Sequence, residues 1–272
     1  EQVTETALLA RAEDPFLGAN PLFDGDADIP GDAVPVQSDQ VGNIQYIDMG
    51  KLAFLSTEKD MDIYVAELPG AFVSISSPLV YAGKQLSNET RRELQKAFVI
   101  GHERDFEQDP RFGLCVLAEI ASRALSAAVN DYGTGIDIIN RGVRLLTKYA
   151  LAERKIEIKH PRVWVPPLTV ADLFSDIFAP ILRDEGGLMA IDVKLMKAFA
   201  ALHQLDNGQF REEGGLMAID VKLMKSVAVL HQLDNGQFRE EARKYSRQCY
   251  EHAAGTLLLH EDKKALRALM LD

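Results

Sequence analysis

The stretch RALSAAVNDYGTGID, residues 123–137, interrupts the most apolar part of the chain and decides how its helices are divided. Upstream, Asp109-Pro110 is typical of a helix N-cap followed by a proline in the first turn, and it predicts a helix that runs to about Val129. Within the stretch, Asn130 and Asp131 are typical of helix ends and turns, because their side chains bond the local backbone. Two helices joined by a polar turn are therefore predicted here.

Each of these two helices carries one narrow polar stripe on an otherwise apolar surface. At roughly 100° per residue, the stripe of the first helix spans an arc of about 100°. It consists of Glu119, Ser122, Arg123, Ser126 and Asn130. The second helix is predicted to begin at Thr134 or Gly135 and to end near Leu151. Its stripe consists of Asp137, Asn140, Arg141, Arg144 and Lys148.

Two interpretations of the stripes are open. In the first, both stripes face water, and Glu119–Arg123 and Asp137–Arg141 form ordinary i,i+4 ion pairs worth only a few tenths of a kcal/mol. In the second, the stripes converge on a shared polar cleft, where Arg123, Arg141 and Arg144 hold an anionic ligand with their forked donors. An enclosed pocket along the stripes would distinguish the second interpretation from the first.

Upstream of these helices the sequence changes character twice. Residues 1–40 contain nine acidic residues and one arginine, so most of the formal net charge of −11 lies there. Residues 1–13 are predicted to form a short helix, and the prolines, glycines and aspartates of 14–40 predict a linker. Residues 41–85 are predicted to form a small β module, because NIQYID, DIYVAEL and AFVSI are rich in β-branched and aromatic residues.

Residues 86–272 are predicted to form a helical domain. Ser87 and Thr90 offer capping chemistry at its start, and TVADLFSDIFAPIL, residues 169–182, predicts a further helix. RVWVPPL, residues 162–168, is the exception and predicts a strand or an extended segment. The fold class expected for the chain is therefore α+β, with a small β-rich module followed by a mainly α-helical bundle.

The last third of the chain contains a near-identical tandem repeat. Residues 211–238 repeat residues 183–210 with differences at only four positions. Each copy predicts one amphipathic helix that ends at an Asp-Asn-Gly turn. Solenoid repeats usually drift more than this, so we interpret the pair as a recent duplication or an artefact. The extra helix could also mediate association between identical chains.

Several classes of function are disfavoured by the sequence. The chain lacks the concentrated positive run that nucleic-acid binding requires. Its histidines and its two cysteines lack metal-ligand spacing, and no nucleotide-binding loop or nucleophile motif is present. We therefore expect no metal and no cofactor. No segment has the roughly 20 uninterrupted apolar residues that cross a bilayer.

One stretch resembles a known family. HERDFEQDPRFGLCVLAEIASRALSAAVND, residues 102–131, together with GNIQYID upstream, is similar to the bacterial predicted membrane proteins classed as domain of unknown function 2254. The resemblance is specific over roughly 38–150 and looser towards the C-terminus. Ala127 and Tyr132 stand where the family usually has prolines. The recurrent polar residues of the family correspond to Gln108, Asp109, Arg123, Ser126, Asn130 and Asp131.

The resemblance implies a membrane-attached protein without an established activity. Several membrane spans would precede Glu1, and the present chain would be a soluble domain on the cytoplasmic side with those spans as its partners. The first hypothesis for function is a non-catalytic role in regulation, ligand sensing or assembly. The alternative is a small-molecule-binding domain or enzyme with a polar cleft around Arg123, Asn130 and Asp131 for an anionic ligand. The candidate ligand-binding residues are Gln108, Asp109, Arg123, Ser126, Asn130, Asp131, Arg141 and Arg144.

Overall fold

The computed structural model describes residues 1–22, 29–83, 85–184 and 188–205, together with the single residues 240, 244 and 247. The chain divides into two compact units. The helical unit contains the described residues of 1–5, 113–153 and 169–272, and the sheet unit contains the described residues of 6–112 and 154–168. Helices and two sheets are both present, so the predicted α+β class is confirmed.

The described helices and strands are interspersed along the chain. The helices are α1 (Gln2–Glu13), α2 (Met49–Glu58), α3 (Asn88–Gln95), α4 (Pro110–Leu125), α5 (Tyr132–Leu151), α6 (Val170–Asp184) and α7 (Met189–Gln204). The strands are β1 (Ala19–Pro21), β2 (Val34–Gln37), β3 (Gly42–Ile47), β4 (Ile63–Val65), β5 (Phe72–Val73), β6 (Pro78–Ala82), β7 (Phe98–Gly101) and β8 (His160–Val165).

The sheet unit contains two sheets. A five-stranded sheet has the order β1-β8-β4-β6-β2, and a three-stranded sheet has the order β5-β3-β7. In the larger sheet β8 pairs in parallel with β1 and β4, whereas β6 pairs antiparallel with β4 and β2. The residues Ile44, Leu52, Ile63, Leu79 and Val163 are fully buried in a shared core. Burial of these apolar side chains is the main force that holds the unit together.

The sheets use more of the chain than the sequence predicted. The segment 14–40, predicted to be a linker, contains β1 and β2, because Val34 and Val36 can alternate along a pleat and β2 finds an antiparallel partner in β6. The segment predicted to be helical from residue 86 contains β7 as well as β8. Long-range pairing supplies the partners that local patterns do not reveal.

The sheet unit also contains a helix that was not predicted. Helix α2 follows β3 directly, and the Asp48 carboxylate accepts the backbone N–H of Lys51 at 2.8 Å as its N-cap. Helix α3 begins as the capping chemistry predicted, since the Ser87 hydroxyl accepts the Thr90 N–H at 3.1 Å.

The helical unit is built from α4, α5, α6 and α7. Helix α5 buries one apolar face, and α6 buries the residues Phe174, Ile177, Phe178 and Ile181 on another. The ring of Phe178 packs against that of Phe174 at 5.5 Å and against that of Phe199 in α7 at 5.0 Å between centroids. Aromatic pairs at this separation add to the stabilisation from area burial.

Helix α4 ends at Leu125, four residues before the predicted end. The Ser126 hydroxyl donates to the Arg123 carbonyl at 2.7 Å, and the Ser126 N–H bonds the same carbonyl at 3.3 Å. Serine competes in this way for the backbone bonds that would continue a helix. The helical wheel had placed Asn130 in the α4 stripe. Because α4 ends earlier, Asn130 does not belong to that stripe.

The duplicated segment is described only in its first copy. Helix α7 forms within the first copy, where one amphipathic helix was predicted. The second copy, residues 211–238, and the end of the first copy lie outside the described residues. The predicted separation of a domain over 86–272 stays a prediction for the C-terminal part.

Candidate functional site

The candidate site is a cleft of about 520 Å³ between α4 and α6 in the helical unit. Its volume lies in the range of small-molecule sites, about 300–1,000 Å³, but it is open to solvent instead of enclosed, because Glu119, Arg123 and Ser175 are exposed. Helix α4 lines it with Cys115, Glu119, Ser122 and Arg123, and α6 lines it with Ser175, Asp176, Pro180 and Arg183.

Helical periodicity explains why these side chains share a cleft. The four residues from α4 are separated by four, three and one positions, so they lie on one face. On α6 the apolar residues are buried, and the lining residues occupy the remaining side of the helix. Pro180 has no backbone N–H and interrupts the regular hydrogen bonding of α6 beside the cleft.

Arg123 is the candidate anchor of the cleft. Within the described part of the chain, its guanidinium forms no ion pair, and the same is true of Glu119 one turn earlier. The expected i,i+4 pair between these two residues is therefore not formed. Arg183 across the cleft is bound to Asp184 at 2.7 and 2.8 Å, and this bond lowers the pKa of Asp184. The N–H groups of the Arg123 guanidinium are therefore available to donate hydrogen bonds to a ligand.

The stripe on α5 has a different environment. Arg141 donates to Asp137 at 2.7 Å, as predicted, and to Glu1 at 2.6 Å. Arg144 donates to the other oxygen of Glu1 at 3.0 Å, and this bond lowers the pKa of Glu1. Lys148 continues the pattern with Glu5. Arg141 and Arg144 are not among the residues that line the cleft, so the two stripes do not meet there.

Three other predicted site residues form the turn between α4 and α5. Ser126 bonds the Arg123 carbonyl, and Asn130 adopts a left-handed conformation with φ of 50°, which asparagine tolerates well. Asp131 caps α5 by accepting the Thr134 N–H at 3.0 Å and the Thr134 hydroxyl at 2.6 Å. The hydroxyl bond contributes most to lowering the pKa of Asp131. These polar groups support the backbone of the turn.

Gln108 and Asp109 lie in the sheet unit. The Gln108 amide accepts the N–H of Ile47 at 2.9 Å and so satisfies the end of β3. Asp109 is fully buried, accepts a forked bond from Arg104 at 2.7 and 3.0 Å, and bonds two N–H groups of the first turn of α4.

A glycine makes room for the buried carboxylate of Asp109. Gly70 has φ of 96°, and a Cβ placed there would collide with that carboxylate. This arrangement gives Asp109 a structural task, which is to bind the first turn of α4 and Arg104 at the same time.

Sequence reasoning missed the α6 wall of the cleft. The signal was present in the pattern of 169–182, where Ser175 and Asp176 fall on the polar side of the predicted helix, but their proximity to Arg123 depends on tertiary packing. Of the predicted binding residues, Arg123 lines the cleft. A binding role of the others stays a prediction that their local contacts do not support.

The described residues contain no group of three or more His, Cys, Asp or Glu side chains that could hold a metal ion. No helix in the described ranges has the length and apolar character needed to cross a membrane.

Comparison with known proteins places the chain in a family. Uncharacterized proteins of Mycobacterium bovis and Mycobacterium tuberculosis are 32% identical to it over 118 residues, which is 41% of this chain and 22% of each relative. The chain therefore matches less than a quarter of the length of these curated relatives. No solved structure matches it. The family described as predicted membrane protein (DUF2254) matches residues 2–201. The chain belongs to this predicted membrane protein family, DUF2254.

Proposed function

We propose that this chain is a regulatory domain of a DUF2254 membrane protein and that it senses a small charged ligand in the α4–α6 cleft. The observation that carries the proposal is the position of Arg123, which lines a cleft of about 520 Å³. A planar guanidinium binds a carboxylate or phosphate with two parallel hydrogen bonds. Arg123 therefore supplies the recognition of an anionic group.

The environment of Arg123 also supports binding. The exposed Ser175 side chain adds a hydroxyl group to the same cleft, and a hydroxyl can orient a bound ligand through hydrogen bonds. In contrast, the cations of α5 are already bound to Glu1 and Glu5 at the start of the chain. A ligand at α5 would have to displace an existing ion pair, whereas a ligand at Arg123 would not.

The membrane context completes the proposal. In the full-length protein the domain would be attached to membrane spans, which are its proposed partners, and would respond to a ligand on the cytoplasmic side. The family description supports the attachment. The sparse cysteines of the chain suit a reducing compartment.

Thermal unfolding with a panel of ligands tests the proposal. The panel contains dicarboxylates, inorganic phosphate, sugar phosphates and amino acids, each added to the wild-type chain, to Arg123→Gln and to the matched variant Arg141→Gln. A ligand present at 100 times its Kd stabilises the folded state by about 2.7 kcal/mol. We expect a ligand that raises the Tm of wild type and of Arg141→Gln, with little effect on Arg123→Gln.

The baseline of each variant is measured first. Circular dichroism and the Tm without ligand show whether Arg123→Gln is folded. An equal ligand-induced shift in Arg123→Gln and wild type would contradict a site at Arg123, as would a panel without any stabilising compound.

A further inference from the structure

Glu119 and Arg123 lie on the α4 side of the cleft and carry opposite charges, but they do not form an ion pair; we call this an open charge pair. They are one helical turn apart, are exposed and line the same cleft, but within the described residues neither one is bound to the other or to another charged side chain. On α5 the same i,i+4 order of acid and arginine is closed, with Asp137 and Arg141 at 2.7 Å. The i,i+4 spacing therefore permits an ion pair, but the corresponding pair on α4 is not formed.

The charges around the cleft are balanced. Arg183 is bound to Asp184, so Arg123 and Glu119 remain as one positive and one negative charge on the α4 wall. A ligand with negative charge alone would approach Arg123 and would also lie near the Glu119 carboxylate, which repels it. A ligand that carries both signs of charge would avoid this repulsion.

We propose that the cleft binds a small zwitterion of the amino-acid type. Its carboxylate would accept the forked hydrogen bonds of Arg123, and its ammonium group would donate to Glu119. Residues four positions apart on a helix have Cβ atoms about 5–6 Å apart, so both side chains can reach the two charged groups of one small ligand. Cys115 and Pro180 supply a less polar surface for the ligand side chain. This inference rests on the proposed ligand-sensing function and names its ligand class.

Blocked amino acids provide the test. Isothermal titration measures the binding of the common L-amino acids, of their N-acetyl derivatives, which lack the ammonium charge, and of their methyl esters, which lack the carboxylate. For the best-binding amino acid, we expect each blocked form to bind at least about tenfold more weakly, because each loses a charge-assisted hydrogen bond.

Variants assign the two charges. Glu119→Gln should weaken the binding of the free amino acid about tenfold and leave the already weak binding of the N-acetyl form unchanged. Arg123→Gln should weaken the binding of both the free amino acid and the N-acetyl form. Asp137→Asn on α5 is the matched control and should bind the free amino acid like wild type.

The outcomes separate this inference from the proposed function. If an N-acetyl amino acid or a plain dicarboxylate binds as tightly as the free amino acid and still requires Arg123, the zwitterion inference is overturned and the anion-sensing function stands. If no compound that depends on Arg123 binds, both are overturned.

Discussion

Helices α4 and α5 are neighbours in the chain and carry the same local devices in different environments. Each begins after an aspartate that accepts backbone N–H groups, and each carries an acid four residues before an arginine. Asp109 before α4 is fully buried and bound by Arg104, whereas Asp131 before α5 is exposed and bound by Thr134. The charged pair is open on α4 and closed on α5.

The difference shows that spacing alone does not determine the role of a charged residue. On α5, Arg141 has a second carboxylate partner, Glu1, which lies 140 positions earlier in the sequence. On α4, Arg123 has a cavity beside it. The N-caps differ in the opposite direction. The buried cap belongs to α4, whose charged pair is not formed, and the exposed cap belongs to α5, whose charged pair is formed.

The largest expected effect comes from removing the two caps. Asp109→Ala would leave the Arg104 guanidinium and two N–H groups of α4 without their acceptor, and we expect a loss of about 3–5 kcal/mol in unfolding free energy. Asp131→Ala removes an exposed cap and should cost much less. Urea denaturation of both variants measures the loss of unfolding free energy caused by each substitution. Equal losses would show that burial does not determine how much each cap stabilises the fold.

A smaller effect is expected from the charges. Glu1→Gln removes the carboxylate that Arg141 and Arg144 share, so the Tm should fall slightly at low salt. The loss should disappear near 1 M salt, where the Debye length is about 3 Å. Glu119→Gln should leave the Tm unchanged at both salt concentrations. A salt-dependent loss in Glu119→Gln would mean that the α4 pair is closed in solution.

The smallest effect is expected from acid titration. The pKa of Asp131 is lowered in the folded state, chiefly by the Thr134 hydroxyl, and the pKa of Glu1 is lowered by Arg144. A lowered folded-state pKa contributes stability above the unfolded-state pKa, near 4, and this contribution is lost as the pH falls through the folded-state pKa. The Tm of Asp131→Asn should therefore fall less than that of wild type between about pH 5 and pH 2. A larger fall in the Tm of Asp131→Asn than of wild type over this pH range would contradict a lowered folded-state pKa of Asp131.

The sequence revealed the local part of the fold. Asp109-Pro110 marked the start of α4, Ser87 marked the start of α3, and the segment 169–182 predicted most of α6. These signals act within one or two helical turns, so they can be recognised without tertiary information. The end of α4 was missed because the Ser126 hydroxyl bonds the backbone in place of the next helical turn.

The nonlocal part could not be predicted in the same way. Strand β1 has its partner in β8, about 140 residues later, and no pattern within residues 14–40 announces that pairing. The site shows the same limit. Arg123 was identified from its stripe, but the α6 wall and the capture of Arg141 by Glu1 both depend on contacts between distant segments.

The edges of the five-stranded sheet have a consequence for aggregation. Strands β1 and β2 lie at its two edges, and each contains a proline, Pro21 in β1 and Pro35 in β2. An exposed edge can recruit a strand from another molecule, and a proline disfavours this because it has no N–H to donate. Growth of the five-stranded sheet into fibrils is therefore disfavoured at both of its edges, and association of copies through this sheet is expected to use side-chain surfaces instead of strand pairing.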